Sequence, residues 1–459
     1  MTVVATPTIS CSVLEEAALQ AFTSSLTGPV VLPGDADYDE VRKVFNAQID
    51  RRPAVIARPL NTNDVVESVR FARATGLPVA VRGGGHSVAG HSVIENGLLI
   101  DLSLMKQIAV RLSDRVAVAQ PGVKLGELIL ETEKYHLVTP VGTASDTGLA
   151  GLALGGGYGY LAGKYGLTLD NIVGMEVVTA DAQVLRADAE TNPDLFWALR
   201  GGSSNFGIVT SFDLQLHFQD DLLGGMIVYP FEVAREVLRY YRTIAERAPD
   251  ELTVWAGFFT LPQGPKAVAI MLAYSGPLQA GQHLLAPVRA FGNPIVDMVQ
   301  VRKYSEMNML LDEAMPVGLN YYWKWSGIKG INDDAIETIV AYADQLPSPQ
   351  SAILIDTMHG AASRVSPDAT AFAHRSVPYG LILNAAWDEH GDPEKCIAWA
   401  RDFAKAMAPH ATGGVYVNGA SDEPASSAYG SNLERLAQIK KTYDPTNFFR
   451  HNKNIAPAT

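Results

Sequence analysis

Only two cysteines, Cys11 and Cys396, occur in this chain of 459 residues. Nearly the whole chain separates them, so they form neither a metal-ligand pattern nor a disulfide framework, and both are read as reduced thiols. Basic charge is also scarce. The 36 Lys and Arg stand against 49 Asp and Glu, a net charge of −13. Such a surface repels phosphate backbones and anionic lipid, which argues against nucleic acid or a membrane as partner. No apolar run approaches the roughly 18–20 residues that span a bilayer. The opening stretch "MTVVATPTISCSVLEEAALQ" lacks a basic n-region, and Thr and Ser break its apolar run, so it makes a poor signal peptide. The expected compartment is the cytoplasm. There is no repeat of roughly 20–50 residues and no low-complexity segment. What is present is a globular composition, 47% apolar and 19% charged, long enough for more than one domain.

The segment "NTNDVVESVRFARATGLPVAVRGGGH" predicts a helix, a strand, a bare loop and a histidine, in that order. Thr62 or Asn63 caps the helix, Val65, Val69 and Ala72 share one face, and Gly76 ends it. "GLLIDLSLM" reads as a strand, and "QIAVRLSDRVAVAQPG" as a hairpin turning at Ser113-Asp114. "KLGELILETEKYH" is an amphipathic helix with Leu125, Leu128 and Ile129 inward. "NIVGMEVVTADAQVLRAD" gives two strands about an Ala-Asp-Ala turn. "DLFWALRGGSSNFGIVTSFDLQLH" gives a short helix, a glycine-rich turn and a strand. From about Leu222 the texture changes. Helical runs such as "EVAREVLRYYRTIAERAP" and "DAIETIVAYADQL" alternate with strands such as "AVAIMLAYSG", "SAILIDTMHG" and "YGLILNAAWD", the pattern of an antiparallel sheet covered by helices.

Glycine concentrates in two places, "VRGGGHSVAGHS" and "TPVGTASDTGLAGLALGGGYGYLAGKYGLTLDN". Glycine lets backbone N–H groups approach a ligand closely, and successive N–H groups form anion-binding nests. Two such loops in one half of a chain imply a large, flat or phosphorylated ligand held mostly by backbone. The string "GGGYGYLAG" resembles a dinucleotide fingerprint, but it lies mid-domain and is followed by "LTLDN" rather than an acidic residue capping a second strand, so a nicotinamide site is disfavoured.

The stretch "RPAVIARPLNTNDVVESVRFARATGLPVAVRGGGHSVAGHS", together with "GGGYGYLAGKYGLTLDN", "NPDLFWALRGGSSNFGIVT" and the terminal "YDPTNFFRHNKNI", resembles the berberine-bridge-enzyme-like FAD oxidoreductases of the vanillyl-alcohol-oxidase superfamily. Four motifs in order span nearly the whole chain. The resemblance implies an α+β fold: a PCMH-type FAD-binding domain of two α/β subdomains, from residues 1–218 and completed by 413–459. A substrate domain, an antiparallel sheet covered by helices, is inserted at 219–412. It implies FAD, covalently held through His86 only, because Ala144 stands where doubly linked members carry cysteine. The backbone from Arg82 through Gly83, Gly84, Gly85 and His86 to Ser87 would wrap the pyrophosphate. Ser92, Gly142, Thr143, Thr147, Gly148, Gly151, Gly155, Gly157, Gly159, Asn171, Ile208, Val209, Tyr416, Asn418, Asn452 and Asn454 are the further cofactor candidates. Thr147 takes the position that lines dioxygen's approach in the family. Its size, close to valine, favours an oxidase that yields hydrogen peroxide. No metal is implied.

Oxidation of an alcohol or amine also needs a base for the heteroatom proton. Tyr158, Tyr416 and Asp356 match family positions for that role. Each has a plainer reading: the tyrosines normally titrate near 10 and would then only cover the flavin or hold substrate, and Asp356 would be a strand-end carboxylate. Tyr416 and Asn418 are expected to point the same way along a strand. In "YYWKW", Tyr321, Trp323 and Trp325 read as core, whereas Tyr322 and Lys324 face the substrate. His359 and Asn384 complete the substrate-side candidates. The residues leave three functions open: an oxidase acting on a small alcohol, sugar, amine or natural-product intermediate, a dehydrogenase with another electron acceptor, or a flavin-binding protein without turnover.

Overall fold

Hydrophobic patterning sorts the chain into strand-rich blocks that assemble as three principal sheets. The structure, a computed structural model, describes residues 14–262, 264–419 and 421–459, so Cys11 lies outside the described residues. The first sheet runs Val30–Val31, Val55–Ala57, Leu98–Asp101, Val79–Arg82, with the last three strands parallel. Parallel strands are covered on both faces and read as unbroken apolar runs. Val55–Ala57 and Leu98–Asp101 are buried throughout, which is why neither alternates. The helix Thr62–Thr75 buries Val65, Val69 and Ala72 as the period requires. Its cap is Asn61, however, not Thr62 or Asn63. The Asp64 N–H donates to Asn61 Oδ1 at 3.0 Å from an extended Asn61 backbone, so the helix starts one residue earlier.

The second sheet is antiparallel, in the order Ile108–Arg111, Val116–Ala119, Ile208–Gln215, Ile172–Val178, Val184–Asp188. Both expected turns, at Ser113-Asp114 and at Ala180-Asp181-Ala182, connect adjacent strands of it. Among the described residues no helix is long and apolar enough to cross a membrane.

The third sheet is antiparallel throughout. Val296–Asp297 and Gln300–Arg302 both pair with Leu222–Pro230, and Lys266–Tyr274, Leu252–Thr260, Ala352–Thr357, Tyr379–Trp387 and Asn320–Ile328 follow. Strand side chains alternate between faces. One set, including Val254, Phe258, Ile353, Ile355 and Leu381, packs under the helices Ala234–Ala245, Asp333–Ala343 and Pro393–Ala406. The other set, including Trp255 and Trp325, joins the core of the first half of the chain. The sheet therefore has a helix-covered face and a face turned toward the glycine-rich loops.

After the third sheet the chain returns to the first half. The Lys440 Nζ, fully buried, donates to Asp444 Oδ2 (2.6 Å) and to the carbonyls of Asn205 (2.6 Å) and Phe449 (2.9 Å). Burial opposes this charge, but every proton is donated and losing one partner would leave it unpaired; the contacts tie the last helix, Leu433–Tyr443, to the loop after Pro193–Leu199. The stretch Val417–Gly419 is a 3-10 turn, not the expected strand. The Gly419 N–H donates to the Tyr416 carbonyl at 3.0 Å and closes it.

Candidate active site

A large cleft lies between the glycine-rich loops and the inward face of the third sheet. Its loop side is made of backbone. Gly83, Gly84, Gly85, His86 and Ser87 line it after the strand Val79–Arg82, and Gly142, Thr143, Ala144, Thr147, Gly148 and Gly151 line it from the second loop. The two loops touch. A Cβ placed on Gly84 would lie 2.4 Å from the Cα of Gly148, so neither position has room for a side chain. Polar atoms on this side are unspent: His91 Nε2, Ser92 Oγ and Asn452 Oδ1 are buried without a protein partner, on residues that line the cleft. Burial and the neighbouring His451, Lys453 and Arg51 push His91 down to about 4, so it is a neutral ring at physiological pH.

His86 stands at the junction. Phe45 stacks on its ring at 3.8 Å and 19°, and Trp323 lies 6.2 Å away. His86 Nε2 is 3.4 Å from Asp146 Oδ1, within ion-pair reach but not in hydrogen-bond geometry. Phe45 and Asp146 carried no motif in the sequence. Each is recognisable only once the fold brings residues 41 and 60 positions from His86 in sequence up against the imidazole.

The sheet side holds the candidate acid–base group. Asp356 sits on the cleft-facing register of Ala352–Thr357, opposite Gly380. A Cβ on Gly380 would lie 2.5 Å from Asp356 Oδ1 and 2.6 Å from Trp325 Nε1, so that glycine is the space in which the carboxylate fits. Asp356 Oδ1 accepts the Gly380 N–H at 2.9 Å, and Oδ2 accepts the Tyr158 hydroxyl in a short bond. The Trp325 indole N–H donates to the Tyr158 oxygen at 2.9 Å. Full burial drives the Asp356 pKa up to about 7, partly offset by the donors around it. Burial, and then the neighbouring carboxylate, hold Tyr158 well above its ordinary value. Tyr416 approaches Tyr158 with ring centroids 5.2 Å apart. Its oxygen accepts the Gly157 N–H (2.8 Å) and the Asn418 Nδ2 (2.9 Å). Burial raises it to about 12 against those two donors.

Several expected residues stand elsewhere. The Arg82 side chain is buried in the scaffold, donating to Asp101 Oδ1 (2.9 Å) and to the carbonyls of Lys43 and Val41. Gly155, Gly157 and Gly159 do not line the cleft. Cβ atoms there would meet Asn418 Oδ1 at 2.1 Å, Thr168 Oγ1 at 2.3 Å and the Val141 carbonyl at 2.4 Å, so these three glycines make room for protein packing. Asn171 is spent on the carbonyls of Tyr165 and Leu167 and on His217. Asn454 lies off the cleft wall. Ile208 and Val209 line a small adjoining cavity that shares Gly83, Gly151, Ser203 and Ser204 with the cleft.

On the strand Asn320–Ile328 the assignment of faces reverses. Trp323 and Trp325 line the cleft, while Tyr322 and Lys324 point away. Tyr322 donates to Asp422 Oδ2 at 2.9 Å, and Lys324 pairs with Asp422 and Glu423. Asn384 accepts the Trp323 indole N–H at 2.6 Å and supports that ring from outside the wall. His359 packs against Gly163, also outside the cleft. Bulky aromatics read as core and charges read as function. Here the aromatic face is the ligand wall, and the charges fasten a loop.

With this geometry in hand, comparison with known proteins is informative. Residues 53–188 match the model of an FAD binding domain, and residues 415–456 match the family described as berberine and berberine like. An FAD-linked oxidoreductase of Dictyostelium discoideum is 33% identical over 441 residues, covering 95% of this chain and 96% of the relative. The (R)-6-hydroxynicotine oxidase of Paenarthrobacter nicotinovorans is 32% identical over 449 residues, covering 94% and 97%. The solved structure of a 6-hydroxy-D-nicotine oxidase from Arthrobacter nicotinovorans superposes with a TM-score of 0.87 at 30% identity, covering 95% of this chain and 99% of that one. The chain belongs to the berberine-bridge-enzyme-like FAD-linked oxidoreductases, and it is an enzyme of the oxidoreductase class. The residues present fit FAD. The side-chain-free cradle of Gly83–Gly85 and Gly148 admits close backbone approach, and the unspent polar atoms of His91, Ser92 and Asn452 await a polar ligand.

Proposed function

We propose that this enzyme is an oxidase that removes hydride from a small-molecule alcohol or amine, with FAD attached through His86 alone. When bound, FAD accepts the hydride and passes its electrons to dioxygen, which leaves as hydrogen peroxide. The cofactor-binding part would be residues 1–218 with 413–459, and the substrate part residues 219–412. Gly83–Ser87 would hold the pyrophosphate by backbone N–H groups. Ala144, on the cleft wall, offers only a methyl group where a second attachment would need sulfur. Thr147, also on the wall, has a side chain of valine's size, which would leave dioxygen room to approach.

The observation that carries the reading is the buried pair Tyr158–Asp356. A carboxylate fully removed from water with a pKa raised to about 7 is poised for proton transfer at neutral pH. Tyr158 takes the substrate's heteroatom proton as its own passes to Asp356 Oδ2. The Trp325 N–H steadies the charge that develops on the Tyr158 oxygen. Tyr416, fixed by two donors to its oxygen, orients substrate over the same spot.

The test is direct. Acid-denatured wild-type protein should carry the mass of FAD, and His86→Ala should lose it while Cys11→Ala and Cys396→Ala keep it. Flavin surviving denaturation in His86→Ala would refute the attachment. Peroxide formed in step with substrate consumption supports the oxidase; turnover only with an artificial acceptor would assign a dehydrogenase instead.

A further inference from the structure

The substrate-side wall narrows what can bind. Trp323 and Trp325 alternate on one strand and Trp255 joins them from another, all on the cleft-facing register of the third sheet. Leu354, Ile382 and Met315 complete this lining. Its polar capacity is largely consumed by the protein itself. The Trp323 N–H is spent on Asn384 and the Trp325 N–H on Tyr158. The one lysine of the cleft, Lys453, gives its Nζ to the carbonyls of Glu423 (2.7 Å) and Ser421 (3.4 Å). Among the described residues no Asp, Glu or Arg lines the cleft. What remains on this side is the Trp255 N–H, buried without a partner, and the Tyr416 hydroxyl, whose oxygen accepts two donors but whose proton is given to no protein acceptor among the described residues; the Tyr158 hydroxyl is already engaged by Asp356 and Trp325.

Resting on the oxidase reading above, we infer that the substrate is a compact, largely apolar ring compound, aromatic or heteroaromatic, with a single oxidisable C–OH or C–N group, and not an oligosaccharide. The physical reason is the imbalance between donors and walls. A buried hydroxyl that leaves water and finds no partner costs roughly tenfold in affinity or more. A disaccharide would bring several hydroxyls to a lining that can satisfy two or three. A flat apolar ring loses nothing by leaving water and gains edge or face contact with three indoles. Indole faces alone also serve sugars; here the hydrogen-bond partners that a sugar's edge requires are missing from the same wall.

The experiment uses the holoprotein under anaerobic conditions, with benzyl alcohol, 1-phenylethanol, 1-phenylethylamine and a pyridine methanol set against cellobiose and xylobiose. Bleaching of the flavin band reports turnover, and a saturable change of its spectrum reports binding. At least one ring compound should bleach or perturb the flavin saturably. Trp323→Ala should raise its half-saturation about tenfold with flavin content unchanged, and Trp323→Phe should restore it. Disaccharides should do neither. Saturable bleaching by a disaccharide with a flat response to every ring compound overturns this inference and leaves the oxidase standing. A ring compound that binds saturably, yet is never oxidised, supports this inference and removes the oxidase reading. A flavin unmoved by all six probes counts against the inference.

Discussion

The two linings of the cleft are built on opposite plans. The loop side is backbone, held open by glycines that touch one another, and almost any side chain there would close it. The sheet side is side chain: three indoles placed by strand register, met by Tyr158 and Tyr416, with the Asp356 carboxylate bonded to Tyr158 behind the wall. A backbone lining suits a cofactor whose charge is on phosphate and whose identity is fixed. A side-chain lining can be redrawn by substitution without disturbing the scaffold. The contrast teaches where tolerance ends in this enzyme, and substitutions at five positions test it.

The largest effect belongs to the loop side. Gly84→Ala places a Cβ 2.4 Å from the Gly148 Cα and N, both backbone and neither free to swing aside. The expected outcome is protein without flavin, read as the ratio of visible to ultraviolet absorbance after purification. Ser87→Ala, which removes only a hydroxyl from the same loop, should keep its flavin. A yellow Gly84→Ala protein would show that the two loops separate easily, and that the cradle is not set by their contact.

Next comes the acid–base pair. Tyr158→Phe and Asp356→Asn should each slow anaerobic flavin reduction by about 10²- to 10³-fold, the usual worth of a positioned proton acceptor. In the wild type the rate should rise with pH through about 7 as Asp356 loses its proton, and Asp356→Asn should lack that limb. Stability runs the other way. Asp356's folded pKa lies above its ordinary value near 3.8, so its favourable contribution is complete below about pH 4 and is lost as pH rises through about 7. Asp356→Asn should therefore flatten the decline in stability across that window, measured by denaturant unfolding at pH 4.5 and 7.5.

The unequal legibility of the two linings has a physical cause. Glycine runs announce backbone geometry, so Gly83–Gly85, His86 and Gly148 could be expected around a ligand before any coordinates, and all of them line the cleft, as does Thr147, expected there from the resemblance alone. Strands such as Val79–Arg82, Leu98–Asp101 and Lys266–Tyr274 were legible too, as short apolar runs, whereas their sorting into three sheets was not. Gly155, Gly157 and Gly159, expected at the cofactor by the same glycine signal, lie off the cleft. A glycine that yields to Asn418 or Thr168 looks in sequence like one that yields to phosphate. The sheet side was harder. In "YYWKW" strand alternation separates two sets, but nothing local says which set meets helices and which meets the cleft. That depends on how an eight-stranded sheet docks onto residues some 200 positions away. Asp146, Phe45 and Gly380 were silent because each acts only through a long-range neighbour.

A smaller effect tests the register of the sheet. Gly380→Ala puts a Cβ 2.5 Å from Asp356 Oδ1 and 2.6 Å from Trp325 Nε1, and the carboxylate must shift to admit it. Both groups it displaces act on Tyr158. Flavin reduction should fall about tenfold, and the apparent pKa of its pH limb should move, while flavin content stays whole. An unchanged limb would mean that Asp356 has slack the structure does not suggest.

The smallest change should be on Lys324, on the opposite face of the same strand from Trp323. Burial opposes its charge, yet the carboxylates of Asp422 and Glu423 hold its pKa above the ordinary lysine value. In return Lys324, with Tyr322 and Arg401, keeps Asp422 well below the usual carboxylate range despite partial burial. The pair therefore stabilises the fold between the two ordinary values. The contribution is lost as pH falls through the acid's range or rises past the lysine's. Lys324→Met leaves the half-hidden Glu423 without its cation, which should cost about 1–2 kcal/mol, with Asp422 counting for little because water already screens it. That is a melting shift of roughly 1–3 °C for a chain of this size, read from flavin fluorescence on heating. The reduction rate should stay within about twofold, since the side chain points away from the cleft. A variant with an unchanged melt and a collapsed reduction rate would return Lys324 to the substrate side, and with it the other assignment of faces for the whole strand.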